Sequence, residues 1–366
     1  MSTSYFFIEN YTVHKFVGVI LFCTDSKTDY SVLFYSIGFF GVCSVILESK
    51  MRKLFICNTD VGKRGSVGER LGYVLKHSEI RAHVVARSVN IPNTNSTFDT
   101  FPLAGMFVSL LNQVRLKVAP NLNTKKIDLA VFDIMVIKKL RKVDWADYDT
   151  VYLTEISPRI VKYVRNKSHC KIILDLPIAP LKYRQGIDNE LNQELSAATY
   201  KDWIKNETSV FQEVDRVVVP SAFVKEEVLK YRVDESKVSI VGFGTDTLKY
   251  RGNAISLRKD ELIVIFCGVL NARKGIQYLL KAWESEIFRN HKLVLCGRRT
   301  KYFDSLMKQY NFRNVEVLGH VDVYPLLENS DIYVLPSLME GSSKSIYEAM
   351  AMGLPIICTN ECGSIV

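Results

Sequence analysis

Two acidic residues eight positions apart, Glu340 and Glu348, stand in the stretch LPSLMEGSSKSIYEAMAMGLPIICTNECG, residues 335–363. Glu340 follows a short apolar run that reads as a buried strand. Gly341, Ser342, Ser343 and Lys344 come next, a small and polar turn. The helix expected to open near Ser343 carries Glu348 about a turn and a half in. The first N–H groups of a helix have no partner inside it, so a helix that opens after such a turn presents them to an anion. Carboxylates on either flank accept hydrogen bonds from neutral hydroxyls. A molecule with hydroxyl-bearing groups on both sides of a diphosphate fits this pattern. By itself, EAMAMGLP also reads as a packed helix with Gly353 as its C-cap.

A second constellation is FCGVLNARKGIQYLLKAW, residues 266–283. A strand is expected to end at Gly268 and a helix to begin after Gly275, with Arg273 and Lys274 in the turn between them. Cations in that place can neutralise charge building on a leaving phosphate; a solvated basic turn is the plain alternative. The turn VGKRGSVGERL, with Gly62, Gly65 and Gly68, lies at an earlier strand–helix junction. Its spacing misses GxxxxGK[ST] and GxGxxG, which argues against an ordinary ATPase or dehydrogenase.

These turns need strands and helices to hold them. From Met51 onward the two alternate: LFICN, AHVVARSV, TVYLT, KIILD and RVVVP read as strands, with helical stretches such as SVGERLGYVLKH, SPRIVKYVRNK and SAFVKEEVLKY between them. Ser221 is a good N-cap for the last. A second series starts at Glu261, with strands LIVIFCG, KLVLCG, VEVLGH, IYVLPS and PIICT. Strict alternation implies α/β domains with parallel sheets and helices on both faces. The polar, irregular segment near 246–260 is the expected boundary. It separates a Rossmann-like domain over 51–246 from a second over 247–366, and the cleft lies at the carboxyl ends of the strands. The second domain stops soon after PIICT, earlier than such a domain normally does, and is expected to be incomplete.

Residues 1–50 differ. The run 31–47, SVLFYSIGFFGVCSVIL, has no charge and is followed by Lys50, Arg52 and Lys53. Its 17 residues stand at the lower limit for a membrane span. A membrane segment, a packed helix and a stretch upstream of a true start at Met51 are the three readings. The 366 residues are 48% apolar and 24% charged, a globular composition, with net charge +9. The basic residues are scattered, which favours small anions or an acidic membrane surface over nucleic acid. None of the eight cysteines forms CxxC, and several sit in apolar strands, as buried free thiols in a reducing compartment do. Cys358 and Cys362 have no histidine near them to complete a metal site.

Residues 335–363 resemble the signature of glycosyltransferase family 4, retaining enzymes of GT-B fold, and the resemblance runs densely over 262–363. It implies that Glu340 contacts the donor sugar, that Glu348 contacts the ribose, and that Lys274 is the phosphate-binding lysine. Gly268, Gly341, Ser342, Ser343 and Lys344 then border the donor, Gly65 approaches its phosphate or the acceptor, and His320 lies near the base or is a structural histidine. The chain departs from the family in having Ser342 and Ser343 for Phe and Gly, and Val269 for an arginine that Arg273 replaces. It also has Asp175 where many members carry a first-domain histidine; Asp175 either reaches the cleft or caps the following turn. The implied function is transfer of a sugar from a nucleoside-diphosphate sugar to an acceptor hydroxyl, with retention and with no cofactor or essential metal. The acceptor is a saccharide, lipid or protein glycan that enters from the first domain. The expected location is cytoplasmic, with peripheral membrane contact. A non-catalytic nucleotide-sugar-binding homologue or scaffold, and an epimerase, are the alternatives.

Overall fold

The computed structural model describes residues 19–21, 51–62, 67–77, 80–91, 96–101, 124–191, 197–247, 249–252, 260–312 and 314–364. The first described strand is β1 (Val19–Leu21). Seven strands then build one sheet: β2 (Arg52–Val61), β3 (Ala82–Val89), β4 (Thr97–Thr100), β5 (Tyr148–Leu153), β6 (Lys171–Asp175), β7 (Arg216–Val219) and β8 (Val238–Ile240). They lie in the order β4-β3-β2-β5-β6-β7-β8, and every pairing is parallel. The helices between them are α1 (Val67–His77), α2 (Thr124–Leu140), α3 (Pro158–Lys167), α4 (Leu181–Glu190), α5 (Ala197–Glu213) and α6 (Ala222–Leu229).

Both faces of this sheet are covered, and β2 shows why its sequence is a continuous apolar run. Leu54 and Ile56 point into the core beneath α2, α3, α5 and α6, while Phe55 and Cys57 enter the smaller core on the α1 side. Helix starts follow local chemistry. Ser157 accepts from the Ile160 N–H at the head of α3, and Ser221 accepts from Val224 at the head of α6.

The second sheet contains β9 (Ile263–Cys267), β10 (Lys292–Cys296), β11 (Val315–Gly319), β12 (Ile332–Leu335) and β13 (Ile356–Cys358). Its helices are α7 (Ile276–Trp283), α8 (Lys301–Met307), α9 (Tyr324–Glu328) and α10 (Lys344–Ala351). The order is β1-β13-β12-β9-β10-β11, parallel except where β1 adds an antiparallel edge to β13. Three residues of the first fifty thus pair with the last strand. The apolar run 31–47 lies outside the described residues. Among those described, no helix is long and apolar enough to cross a membrane.

Each sheet reverses its strand order once, between β2 and β5 in the first and between β9 and β12 in the second. At such a point neighbouring loops leave in opposite directions and a crevice opens above the strand ends. The two halves touch at the carboxyl ends of their strands. Ser221 Oγ donates to the Gly341 carbonyl at 2.7 Å, Tyr183 OH to the Leu338 carbonyl at 3.2 Å, and Lys344 Nζ pairs with Glu69 at 2.5 Å.

A buried carboxyl on α5, facing the start of α4, gives the fold a pH dependence. Glu207 accepts from Tyr231 OH at 2.5 Å and from the Leu181 N–H at 2.9 Å. Burial nevertheless lifts it from 4.5 to about 7. A carboxyl raised on folding holds its proton more tightly in the folded chain. Its contribution is therefore favourable in acid and is lost as pH climbs from the unfolded value of 4.5 through about 7. Glu207→Gln is expected to raise Tm at pH 8 and leave it nearly unchanged at pH 4. The gap corresponds to at most about 3 kcal/mol, and a melting series across pH checks it.

Candidate functional site

Strand β12 delivers Pro336, Ser337 and Glu340 to the carboxyl end of the second sheet, at its switch point beside β9. Strand β9 delivers Gly268 and then the turn Ala272–Lys274, a single 3-10 turn capped by Asn271, whose side chain accepts from the Lys274 N–H. Gly275 follows with φ +70°, and a Cβ there would stand 1.7 Å from the Pro336 carbonyl oxygen. Only glycine lets the two loops come this close. Their backbones are tied as well, the Leu338 N–H donating to the Arg273 carbonyl at 2.8 Å.

The approach brings three donors onto one oxygen. Glu340 Oε1 lies 2.7 Å from Lys274 Nζ, 2.9 Å from Arg273 Nη1 and 2.7 Å from Ser337 Oγ. Arg273 also donates to the Met339 carbonyl at 2.5 Å. The Glu340 side chain is 12% exposed. Burial pushes its carboxyl up, but the cations of Lys274 and Arg273 and the hydrogen bonds outweigh this and hold it below the usual carboxylate range. The group is therefore a fixed anion at neutral pH, with its second oxygen left for a hydroxyl. Gly268 lies against the stem of Lys274, a Cβ there meeting Lys274 Cε at 3.6 Å.

On the other side of Glu340, α10 begins at Lys344 with Ser343 as its N-cap. The Ser343 N–H is already engaged, by the Cys362 carbonyl at 3.1 Å and by Ser364 Oγ at 2.6 Å. The N–H groups this helix start could offer an anion are therefore those of Lys344 and Ser345, one residue later than the sequence implies. Ser342 and Ser343 have structural duties: Ser342 Oγ meets Tyr347 OH at 2.8 Å, and Ser343 Oγ meets Ser345 Oγ at 3.1 Å. Gly341 packs against the first half, where a Cβ would stand 1.8 Å from the Pro177 carbonyl oxygen. Glu348 is buried on α10, close enough to Tyr333 and Cys267 for its charge to favour their protonated forms.

The remaining expectations fare differently. His320 is exposed, just after Gly319. Lys344 points to Glu69 on α1 rather than lying free. Gly65 lies outside the described residues. Asp175 neither reaches the cleft as a free carboxylate nor caps the next turn. It is buried, 2.6 Å from Arg70 Nη2 and 2.8 Å from Tyr152 OH, and Arg70 also donates to the Val241 carbonyl. Among the described residues, no group of three or more His, Cys, Asp or Glu side chains could hold a metal ion. Ser337 and Glu69, which the sequence did not single out, are parts of the site. A serine three residues before Glu340 was the available signal for the first; nothing in spacing points to the second.

Residues 261–366 match the family model described as Glycosyl transferases group 1. An uncharacterized glycosyltransferase of Methanocaldococcus jannaschii is 30% identical over 167 residues, 40% of this chain and 43% of that protein. The capsular polysaccharide biosynthesis glycosyltransferase CapM of Staphylococcus aureus is 23% identical over 181 residues, 44% of this chain and 48% of that protein. The chain thus spans less than half the length of these curated relatives. Among solved structures, HepE of Anabaena in complex with UDP and glucose superposes with TM-score 0.56 at 16% identity, over 84% of this chain and 80% of that one. The lipopolysaccharide outer core galactosyltransferase WaaB gives 0.55 at 14% identity, with the same coverage. The fold is GT-B, two parallel-sheet α/β halves meeting at their strand ends.

Proposed function

We propose that the chain transfers a sugar from a nucleoside-diphosphate sugar to an acceptor hydroxyl, with retention at the anomeric carbon. The observation that carries this reading is the Glu340 carboxylate held by Lys274, Arg273 and Ser337 beside the opening turn of α10. A diphosphate placed between that turn and Lys274 is neutralised from both sides, and the charge it gains as the sugar leaves is stabilised most in the transition state. Glu340 then lies at the sugar and Glu348 toward the ribose, with His320 toward the base. The bond from the anomeric carbon to the phosphate oxygen breaks as the acceptor oxygen bonds to that carbon. The departing phosphate oxygen takes the acceptor's proton, so no separate base or cofactor is called for. The match to glycosyltransferases over 261–366 and the complex of HepE with UDP and glucose support the same reading.

The test is a thermal-shift series with UDP, GDP, ADP and their hexose conjugates. One nucleotide is expected to stabilise the chain by about 2.7 kcal/mol at a hundredfold excess over Kd. Mass spectrometry of reactions with that sugar nucleotide then looks for released nucleoside diphosphate and glycosylated product. Absence of stabilisation by all of them would remove the reading.

A further inference from the structure

The second sheet uses its switch point for the cluster at Glu340, and the first sheet has an equivalent place, between β2 and β5, that nothing above employs. A small crevice lies there, partly open to solvent, with room for little more than one water-sized group. Its polar wall is Asn58 from β2, Glu155 and Ser157 from the loop after β5, and Asp133 from α2. Asp133 and Asn58 are 8% and 7% exposed.

The two are held in fixed poses. Ser157 Oγ donates to Asp133 Oδ1 at 2.8 Å, and the same serine caps α3. Arg87 Nε donates to Asn58 Oδ1 at 2.7 Å, and Arg87 is itself fixed by Asp128 at 2.5 Å. With those oxygens engaged, Asp133 retains one acceptor oxygen and Asn58 its amide N–H donors. A group that both accepts and donates satisfies the pair; a water does so, and so does a neutral hydroxyl that displaces it. Burial lifts the Asp133 carboxyl to about 6 against the Ser157 hydrogen bond and the charge of Arg159, so a partner hydroxyl relieves a real desolvation cost.

Position adds a second argument. Strand β6, next to β5, runs on to Pro177, the residue that Gly341 packs against. Strands lie about 4.8 Å apart, so the β2/β5 crevice is roughly 7 Å along the sheet from that contact. A sugar unit anchored in the crevice therefore reaches toward the Glu340 loop.

We propose that the β2/β5 crevice is a second ligand site, which takes one neutral hydroxyl or hydroxymethyl group of a saccharide acceptor between Asp133 and Asn58. This rests on the transfer reading given above. The crevice is too narrow for a whole ring, which lies across its mouth.

The experiment is saturation-transfer NMR on the full chain with methyl α-glucopyranoside, methyl α-galactopyranoside and methyl α-mannopyranoside, with and without whichever of UDP, GDP or ADP raises Tm. At least one glycoside is expected to receive saturation. Asp133→Ala is expected to weaken that contact about tenfold, the loss of one hydrogen bond to a charged group, while the nucleotide-induced rise in Tm persists. Asp133→Asn, which keeps an acceptor oxygen, should fall between. The proposal is overturned if no glycoside contacts the wild-type chain, or if Asp133→Ala contacts it equally well. Should none of the three nucleotides bind, the transfer reading fails separately, and the glycoside contact measured without nucleotide still judges the crevice.

Discussion

Replacing Lys274 by alanine is expected to lower sugar transfer by about 10²–10³-fold, the usual effect of removing one preorganised group that stabilises transition-state charge. The side chain is 12% exposed and its ammonium lies 2.7 Å from Glu340, so it acts in a largely desolvated setting where a charge counts for more than in water. Arg273 stays beside Glu340 and keeps that carboxylate paired, which separates the loss of catalysis from a loss of folding. Because negative charge on the diphosphate grows as the bond breaks, kcat should fall further than KM rises. Steady-state kinetics with the sugar nucleotide found by thermal shift measure both. Wild-type kcat in this variant would show that Lys274 serves only to hold Glu340.

Gly341→Ala is expected to cost activity of similar size by a different route. The added Cβ would stand 1.8 Å from the Pro177 carbonyl oxygen. That clash is between the two halves and not inside either one, so separation relieves it and unfolding is not needed. Separation strains the Ser221 to Gly341 hydrogen bond and carries the Glu340 loop away from the first sheet. Misplacing a reacting group by about 1 Å can lower the rate about 10²-fold. Transfer should therefore fall by about that factor while Tm moves little, which paired melting and rate measurements resolve. A large drop in Tm would place the clash inside a folding unit instead.

The parts of the site that were legible in the sequence are those whose geometry is local. Lys274 stands in a turn closed by a glycine, and Glu340 between a strand and a helix, so spacing alone gave their surroundings. That the two meet is a consequence of β9 and β12 lying side by side, which alternation of strands and helices implies but does not dictate. The fate of Asp175 was hidden because its partner Arg70 is 105 positions away on another element. Helix α2 is absent from the helical stretches named from the sequence, for a physical reason. Phe132, Val136 and Leu140 form its buried stripe, yet Ile134 is 61% exposed and Asp133 is buried. An apolar residue on the wet side and an acid on the dry side blur the periodicity that marks an amphipathic helix. The exception is informative, since the misplaced acid is the one that lines the unused crevice.

The bridge between Lys344 and Glu69 bears on how any anion enters. The ammonium of Lys344, the first residue of α10, is already paired with a carboxylate from the opposite half. On the transfer reading proposed above, a phosphate that engaged the Lys344 ammonium would compete with that carboxylate, an exchange of one negative partner for another. Added salt weakens the newcomer and the incumbent alike, which flattens the dependence of affinity on ionic strength below that of a bare cationic pocket. Release of Glu69 would then remove one tie between the halves and leave those from Ser221 to Gly341 and from Tyr183 to Leu338 in place.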